Sequence, residues 1–194
     1  MNHPAQDLLS GVRLAAAVAG ASPCGSTTCS RPCSDRRAAA RAAGTALEAL
    51  TGTAAPVTLL HRPGAPAEAA GVAATLSVAH VSGRAVAAAA SPGRHVGVDL
   101  EREGRVETPE VRRFAHASEQ AAVADPTTLW ALKEAAWKAL QCARDVPFHA
   151  LRIEFDAAGE VCAVVLRGVR RAARSRVWAP WCGWTAAVVE VAWT

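Results

Sequence analysis

The stretch from Asp125 to Leu140, DPTTLWALKEAAWKAL, limits what this chain can fold into more than any other. Asp125 before Pro126 reads as a helix start: a side-chain acceptor at the cap, then a residue whose missing N–H costs nothing in the first turn. At about 100° per residue, Leu129, Leu132, Ala136 and Leu140 fall in one stripe, Trp130 and Trp137 flank it, and Lys133 lies on its edge. Only Glu134 and Lys138 face clearly away. A helix this apolar around its circumference must be covered on most sides, which would put its three charges in a partly closed cleft. The alternative for Glu134 and Lys138 is a solvated pair one turn apart, worth about 0.2–0.5 kcal/mol.

The same helix holds both lysines of the 194-residue chain, whereas nineteen other positions are arginine. Arginine at an exposed position therefore carries little meaning here, and a retained lysine carries more. The formal charge of +4 and a sequence pI near 9.0 suit acidic or phosphorylated partners, but the arginines are spread out rather than run together. Nucleic acid is permitted by this pattern and not indicated. The apolar run after Leu9 is too short and too weakly flanked for an export signal. No stretch approaches the roughly 20 apolar residues of a membrane span, so the expectation is a cytoplasmic protein with no membrane contact. Cys24, Cys29, Cys33, Cys142, Cys162 and Cys182 form no C-x-x-C pair, and reduced cysteines are expected.

The expected fold class is α+β. Leu9 to Val18 reads as a strand, Ala19 to Ser34 as a loop, and Asp35 to Leu50 as an Ala-rich helix with Asp35 as N-cap and Gly52 just past its end. A short strand follows at 57–60. The segment 75–101 reads as three strands broken at Ser82-Gly83 and Ser91-Pro92-Gly93. After the lysine helix, Leu151 to Phe155 and Val161 to Leu166 flank an Asp-Ala-Ala-Gly turn, and GWTAAVVEVAWT closes the chain as a strand. TALEAL and AAWKAL echo each other, as do GRAVAAAA and GWTAAVVEV. The echo divides the chain into halves, 1–104 and 105–194, packed face to face with a site at their seam.

A second constellation is VGVDLE, residues 96 to 101. The period of two on a strand puts Gly97, Asp99 and Glu101 on one face. Two carboxylates pointing the same way repel unless a cation neutralises them, and a few acidic oxygens plus waters suit Mg²⁺ where it also holds phosphates. Gly97 would leave room for a bulky anion, while the alternative is an exposed strand end with two solvated acids. His80 is either a structural histidine or a phosphate-holding donor. A Ser77-His80-Asp99 triad lacks the G-x-S-x-G elbow.

VGVDLE followed about thirty residues later by WALKEAAWK resembles the signature pair G-[VI]-D-[LIV]-E and W-x-x-K-E-A-x-x-K of the 4′-phosphopantetheinyl transferases, in their pseudodimeric surfactin- and enterobactin-type branch. LSVAH resembles that family's Ser/Asn-x-Ser-His stretch and FAHASEQ its F-x-x-x-E segment. The resemblance implies a monomer of two α/β halves related by a pseudo-twofold, each with a small antiparallel sheet and a packed helix. It implies transfer of the phosphopantetheine arm of coenzyme A to a serine of an apo acyl or peptidyl carrier protein. Asp99, Glu101 and Glu134 would bind Mg²⁺ or Mn²⁺; Glu134 and Lys138 would be catalytic; His80, Lys133 and Lys138 would contact coenzyme A, with Lys133 also a supporting partner of Glu134. Ala79 and Val81 replace the usual serines beside the histidine, and Ala65 replaces a basic residue before proline, so Arg37, Arg41 or Arg62 would meet the 3′-phosphate. The carrier is expected to be acidic. Arginines 167, 170, 171, 174 and 176 with Trp178 and Trp181 would offer it charge and aromatic anchors, or else form a solvated hairpin.

Overall fold

A computed structural model describes residues 3–8, 11–18, 31–54, 58–60, 67–141 and 146–192. In chain order the strands before the first long helix are β1 (His3–Leu8) and β2 (Val12–Val18), and the helix is α1 (Arg31–Thr51). Then come β3 (Leu59–Leu60), β4 (Glu68–Ala69), β5 (Thr75–Val81), β6 (Arg84–Ala90) and β7 (His95–Arg102). A 3-10 turn (Thr108–Arg113) precedes α2 (Ala117–Ala122) and α3 (Pro126–Ala139). The chain ends with β8 (Leu151–Phe155), β9 (Val161–Leu166), β10 (Val169–Trp178) and β11 (Trp184–Val191).

Two antiparallel sheets carry the architecture, one in the order β1-β2-β6-β5 and one in the order β7-β11-β10-β9-β8. A two-stranded ribbon of β3 and β4 stands apart. α1 covers the outer face of the first sheet by packing Ala38, Ala42, Ala46 and Leu47 on Ala15, Ala17, Ala85 and Ala87. The inner face of that sheet, Leu14, Ala16, Val86 and Ala88, meets Val96, Val98, Ala186 and Val188 of the second. The far side of the second sheet, Ala187, Val189 and Val191, receives α3 through Leu132, Ala135, Ala136 and Ala139. The layers therefore run helix, sheet, sheet, helix. β6 is enclosed on both faces, which is why RAVAAAA reads as an unbroken apolar run rather than an alternation.

The mixed α+β class and the strand breaks at Ser82-Gly83 and Ser91–Gly93 are as the sequence predicts. At the first break both central residues take positive φ, the mirror-image turn that matches strand twist. Asp125 caps α3 by accepting from the Thr127 and Thr128 amides. Other expectations need correcting. α1 starts at Arg31, so residues 31–34 are helix and not loop, and Asp35 sits inside the helix rather than at its cap. Pro32 in that first turn was the usable signal. β7 pairs with β11, from His95 opposite Val191 to Arg102 opposite Trp184, so the last strand before residue 104 belongs to the sheet built by the second half. The arginine-rich segment is β10, the longest strand, a strand that the sequence reading did not assign. Leu9, Val57, Cys24, Cys29 and Cys142 lie outside the described residues; Cys162 and Cys182 are free thiols.

Candidate active site

β7 and α3 meet over Gly97. A Cβ built there would lie 1.9 Å from the Ala135 carbonyl oxygen and 2.5 Å from the Ala139 amide nitrogen. The glycine's open face is thus filled by helix backbone, and the expected room for an anion is not there. Close approach is what the glycine supplies. It brings the same face of β7, Asp99 and Glu101, against the side of α3 that bears Glu134 and Lys138.

Lys138 Nζ donates to Asp99 Oδ1 at 2.6 Å and to the Val98 carbonyl at 3.2 Å. Asp99 Oδ2 is buried without a hydrogen-bond partner. A buried carboxylate oxygen left unpaired costs free energy, so this atom is set to accept a cation or a donor. Glu101 is held from both sides: Trp130 Nε1 donates to Oε1 at 3.0 Å, and Arg105 Nε lies 3.2 Å from Oε2. Trp130 is itself fixed by stacking on Phe148 at 5.0 Å and an edge contact with Phe114 at 4.9 Å. Burial pushes the Glu101 carboxyl up, the Asp99 charge adds to this, and Arg105, Trp130 and Lys138 pull back. The Glu134 carboxyl is raised chiefly by burial and further by Asp99 and Glu101, against Lys138 and Arg105. Three carboxylates thus feel one another across one cleft.

The cleft is a cavity of about 330 Å³ lined by Val78 to Val81 of β5, by Asp99 to Glu101 of β7, and by Arg105 and Lys138. It lies at the edge where β5 of one sheet meets β7 of the other, and there the Ser77 hydroxyl accepts the Val98 amide at 3.0 Å. His80 reaches the cavity half-exposed, with Nδ1 3.7 Å from Asp35 Oδ2. Asp35 Oδ1 accepts the Gly83 amide at 2.5 Å, so α1 anchors the Ser82-Gly83 turn that follows the strand bearing His80.

Of the residues predicted for the site, Asp99, Glu101, Lys138 and His80 line one cavity, and Glu134 is coupled to it through Asp99, Glu101 and Lys138. Lys133 is not brought there. It is fully buried, and Nζ donates to both Glu119 oxygens at 2.9 and 3.0 Å and to the Leu151 carbonyl at 2.5 Å. Its angle on the helix edge turns it into the core, so its expected roles toward coenzyme A and Glu134 give way to a structural one. Arg41 is exposed on α1 and donates to the Val18 carbonyl at 3.4 Å, Arg37 is exposed on the same helix, and Arg62 lies outside the described residues. The sequence reading missed Trp130 as the clamp on Glu101, Arg105 and Asp35. Arg105 stands four residues after Glu101, a spacing that could have flagged it. Nothing local flags Asp35, whose partners Gly83 and His80 are more than forty residues away.

The donor set suits a hard divalent cation: carboxylates only, mutually repelling, with one buried oxygen unclaimed. Among the described residues no three His, Cys, Asp or Glu side chains already converge on a metal-sized point. In this arrangement Lys138 and Arg105 supply the neutralising charge. Among the described residues no helix is long and apolar enough to cross a membrane. No curated protein matches the chain significantly. The segment 95–189, which runs from the first residue of β7 into β11 and contains Asp99, Glu101, Glu134 and Lys138, matches the family model of the 4′-phosphopantetheinyl transferase superfamily.

Proposed function

We propose that this protein transfers the 4′-phosphopantetheine arm of coenzyme A to a serine hydroxyl of an apo acyl or peptidyl carrier protein, releasing adenosine 3′,5′-bisphosphate. The observation that carries the reading is the cleft itself, where Asp99 presents a buried, unpartnered oxygen beside the Lys138 ammonium. The superfamily match over this segment supports phosphopantetheinyl transfer in general. The surfactin-type branch, with its pseudo-twofold between halves, is the finer assignment; its support is the layering of each sheet under its own helix.

In the reaction a bond forms between the serine Oγ and the phosphorus that bears the pantetheine arm, and the bond from that phosphorus to the bridging pyrophosphate oxygen breaks. Asp99, Glu101 and Glu134 would hold Mg²⁺ or Mn²⁺, which when bound neutralises phosphate charge as a Lewis acid. Lys138 can reach the same phosphates as a compact point charge on the cavity wall. Glu134, with its carboxyl raised by burial, is the candidate to accept the serine proton, and a positioned base contributes about 10²–10⁴-fold. His80, whose Nδ1 lies 3.7 Å from Asp35 Oδ2, would donate to a phosphate of the donor in this reading. His80, Lys138, Arg37 and Arg41 form the coenzyme A contact set of this reading.

A second reading is a relative that binds coenzyme A or a carrier with little transfer. Its support is that Ala79 and Val81, two side chains without donors, line the cavity where the family pattern has serines. One experiment separates the two: intact mass of an apo carrier protein after incubation with the protein, coenzyme A and Mg²⁺, beside Asp99→Ala and Glu134→Ala. Gain of one phosphopantetheine with the native protein only supports transfer at these residues. Saturable coenzyme A binding without mass gain on several carriers rejects it in favour of the second reading.

A further inference from the structure

Outside the carboxylate cleft, Arg84 is a cationic side chain that the fold leaves unfinished. It begins β6 opposite Val81 of β5, and its guanidinium carbon lies 4.9 Å from the Trp184 ring centroid and 5.9 Å from that of Trp181. The two indoles meet edge to face at 6.5 Å. Arg84 Nε is buried with no hydrogen-bond partner. The residue as a whole is half-buried, and a guanidinium held on aromatic faces keeps its positive charge for an anionic partner.

The surroundings extend this into a strip. Trp178 and Trp181 pack on the same buried cluster as Val81, and Val81 also lines the catalytic cavity. By the period of two, Arg176 and Arg174 share the face of β10 that bears Trp178. They sit opposite Val188 and Glu190 of β11, and Glu190 is already bound by Arg94. The strip is therefore basic and aromatic and adjoins the cavity. From Arg174 to Trp178 alone it covers about 13 Å of strand, longer than one small anion but suited to several carboxylates on a protein face.

We propose that Arg84, Trp181, Trp178, Arg176 and Arg174 form the surface on which the protein acceptor docks an acidic face, so that its serine enters the cavity beside Val81. This rests on the transferase reading and says which side of the cleft the acceptor approaches. Donor and acceptor would then use different walls: the donor the His80, Asp99 and Lys138 side, the acceptor the arginine and tryptophan strip.

The test is steady-state transfer to an acidic apo carrier protein with KM measured separately for carrier and for coenzyme A. The enzymes are the native protein, Arg84→Gln, and the Arg174→Gln/Arg176→Gln double variant, in which Arg174 is exposed and Arg176 half-buried, with circular dichroism to show that each variant is folded. The expectation is a rise in carrier KM of about tenfold for either variant, with kcat and the coenzyme A KM within about twofold and a shallower salt dependence of carrier KM. Unchanged carrier KM in both variants would overturn the proposal, and so would a rise confined to the coenzyme A KM, which would give Arg84 to the donor. Single-stranded DNA that competes with carrier on the native protein but not on the double variant would reassign the strip to nucleic acid. If the native protein moves no phosphopantetheine, the transferase reading falls and takes this with it; native transfer with indifferent variants removes this inference alone.

Discussion

Gly97→Ala is the sharpest single test of how the site is assembled. The added methyl would sit 1.9 Å from the Ala135 carbonyl oxygen and 2.5 Å from the Ala139 amide nitrogen. Both are backbone atoms of α3, so no side chain can swing aside. Reaching the 3.0 Å below which Cβ contacts essentially never fall requires α3 to retreat from β7 by about 1 Å or more, a displacement of the size that costs a positioned active site about 10²-fold. The retreat also opens the packing of Ala135, Ala136 and Ala139 against the sheet, at an overpacking cost of about 1–3 kcal/mol or somewhat more. The assay is kcat for transfer together with urea unfolding. The expected result is a folded protein, weaker by about 1–3 kcal/mol, with kcat down about a hundredfold and a coenzyme A KM changed much less. Wild-type kcat in a folded Gly97→Ala protein would refute the claim that this contact sets the distance between Asp99 and Glu134.

The remaining tests follow from burial and hydrogen bonding around the cleft. The Glu101 and Glu134 carboxyls are raised above 4.5 mainly by burial, so the folded state holds more protons than the unfolded one. Their contribution to stability is full below the unfolded value near 4.5 and is lost as pH rises through the folded values. Without divalent cations the melting temperature should therefore fall from mildly acidic to neutral pH more in the native protein than in Glu101→Gln/Glu134→Gln, and Mg²⁺ should restore it more at neutral pH. Trp130→Phe keeps the ring stack but removes the N–H to Glu101. It should cost about 0.5–1.5 kcal/mol and raise the Mg²⁺ concentration needed for half-maximal transfer, read from a metal titration. Asp35→Asn should leave α1 folded by circular dichroism while raising the coenzyme A KM, because His80 loses its charged anchor.

The second sheet and its helix were legible where a local rule coincided with tertiary packing. Asp125-Pro126 opens a helix wherever it is placed, and VGVDLE alternates because β7 has the inner sheet on one face and α3 on the other. The first sheet and its helix hid more. Its strands β2 and β6 are alanine-rich and largely buried, so periodicity gave no face. Asp35 resembled a cap by type, yet Pro32 had already opened the helix and Asp35 was needed one layer away at the Ser82-Gly83 turn. β10 escaped because arginines at 170, 171, 174 and 176 interrupt it and Ala173 is its only buried residue, so no apolar alternation marks the strand. Among the site residues, those that a single element displays were found, and those recruited across elements, Trp130, Asp35 and Arg84, were not.

The two lysines need lysine for opposite physical reasons, and the exchange to arginine separates them. Lys133 sits in a closed slot where three N–H donors meet the two Glu119 oxygens and the Leu151 carbonyl; Glu119 is completed by the His116 and Ile153 amides. An arginine brings five donors on a wider planar fork. At least two would be buried unpaired at about 1–3 kcal/mol each, with overpacking added. Lys133→Arg should thus approach the roughly 3–5 kcal/mol lost when a buried pair is broken, although the charge is kept. Lys138 lines the cavity and, besides the Val98 carbonyl, donates to just one of the two Asp99 oxygens. An arginine has room there and can bond both oxygens, so Lys138→Arg should keep stability within about 1 kcal/mol while closing off the unclaimed Oδ2. Urea midpoints and Mg²⁺ titration of transfer read the two effects: the first variant should lose stability, and the second should lose Mg²⁺ affinity. A Lys133→Arg protein as stable as the native one would mean the slot has spare acceptors, and a Lys138→Arg protein with native Mg²⁺ dependence would mean Asp99 Oδ2 is not where the cation is held.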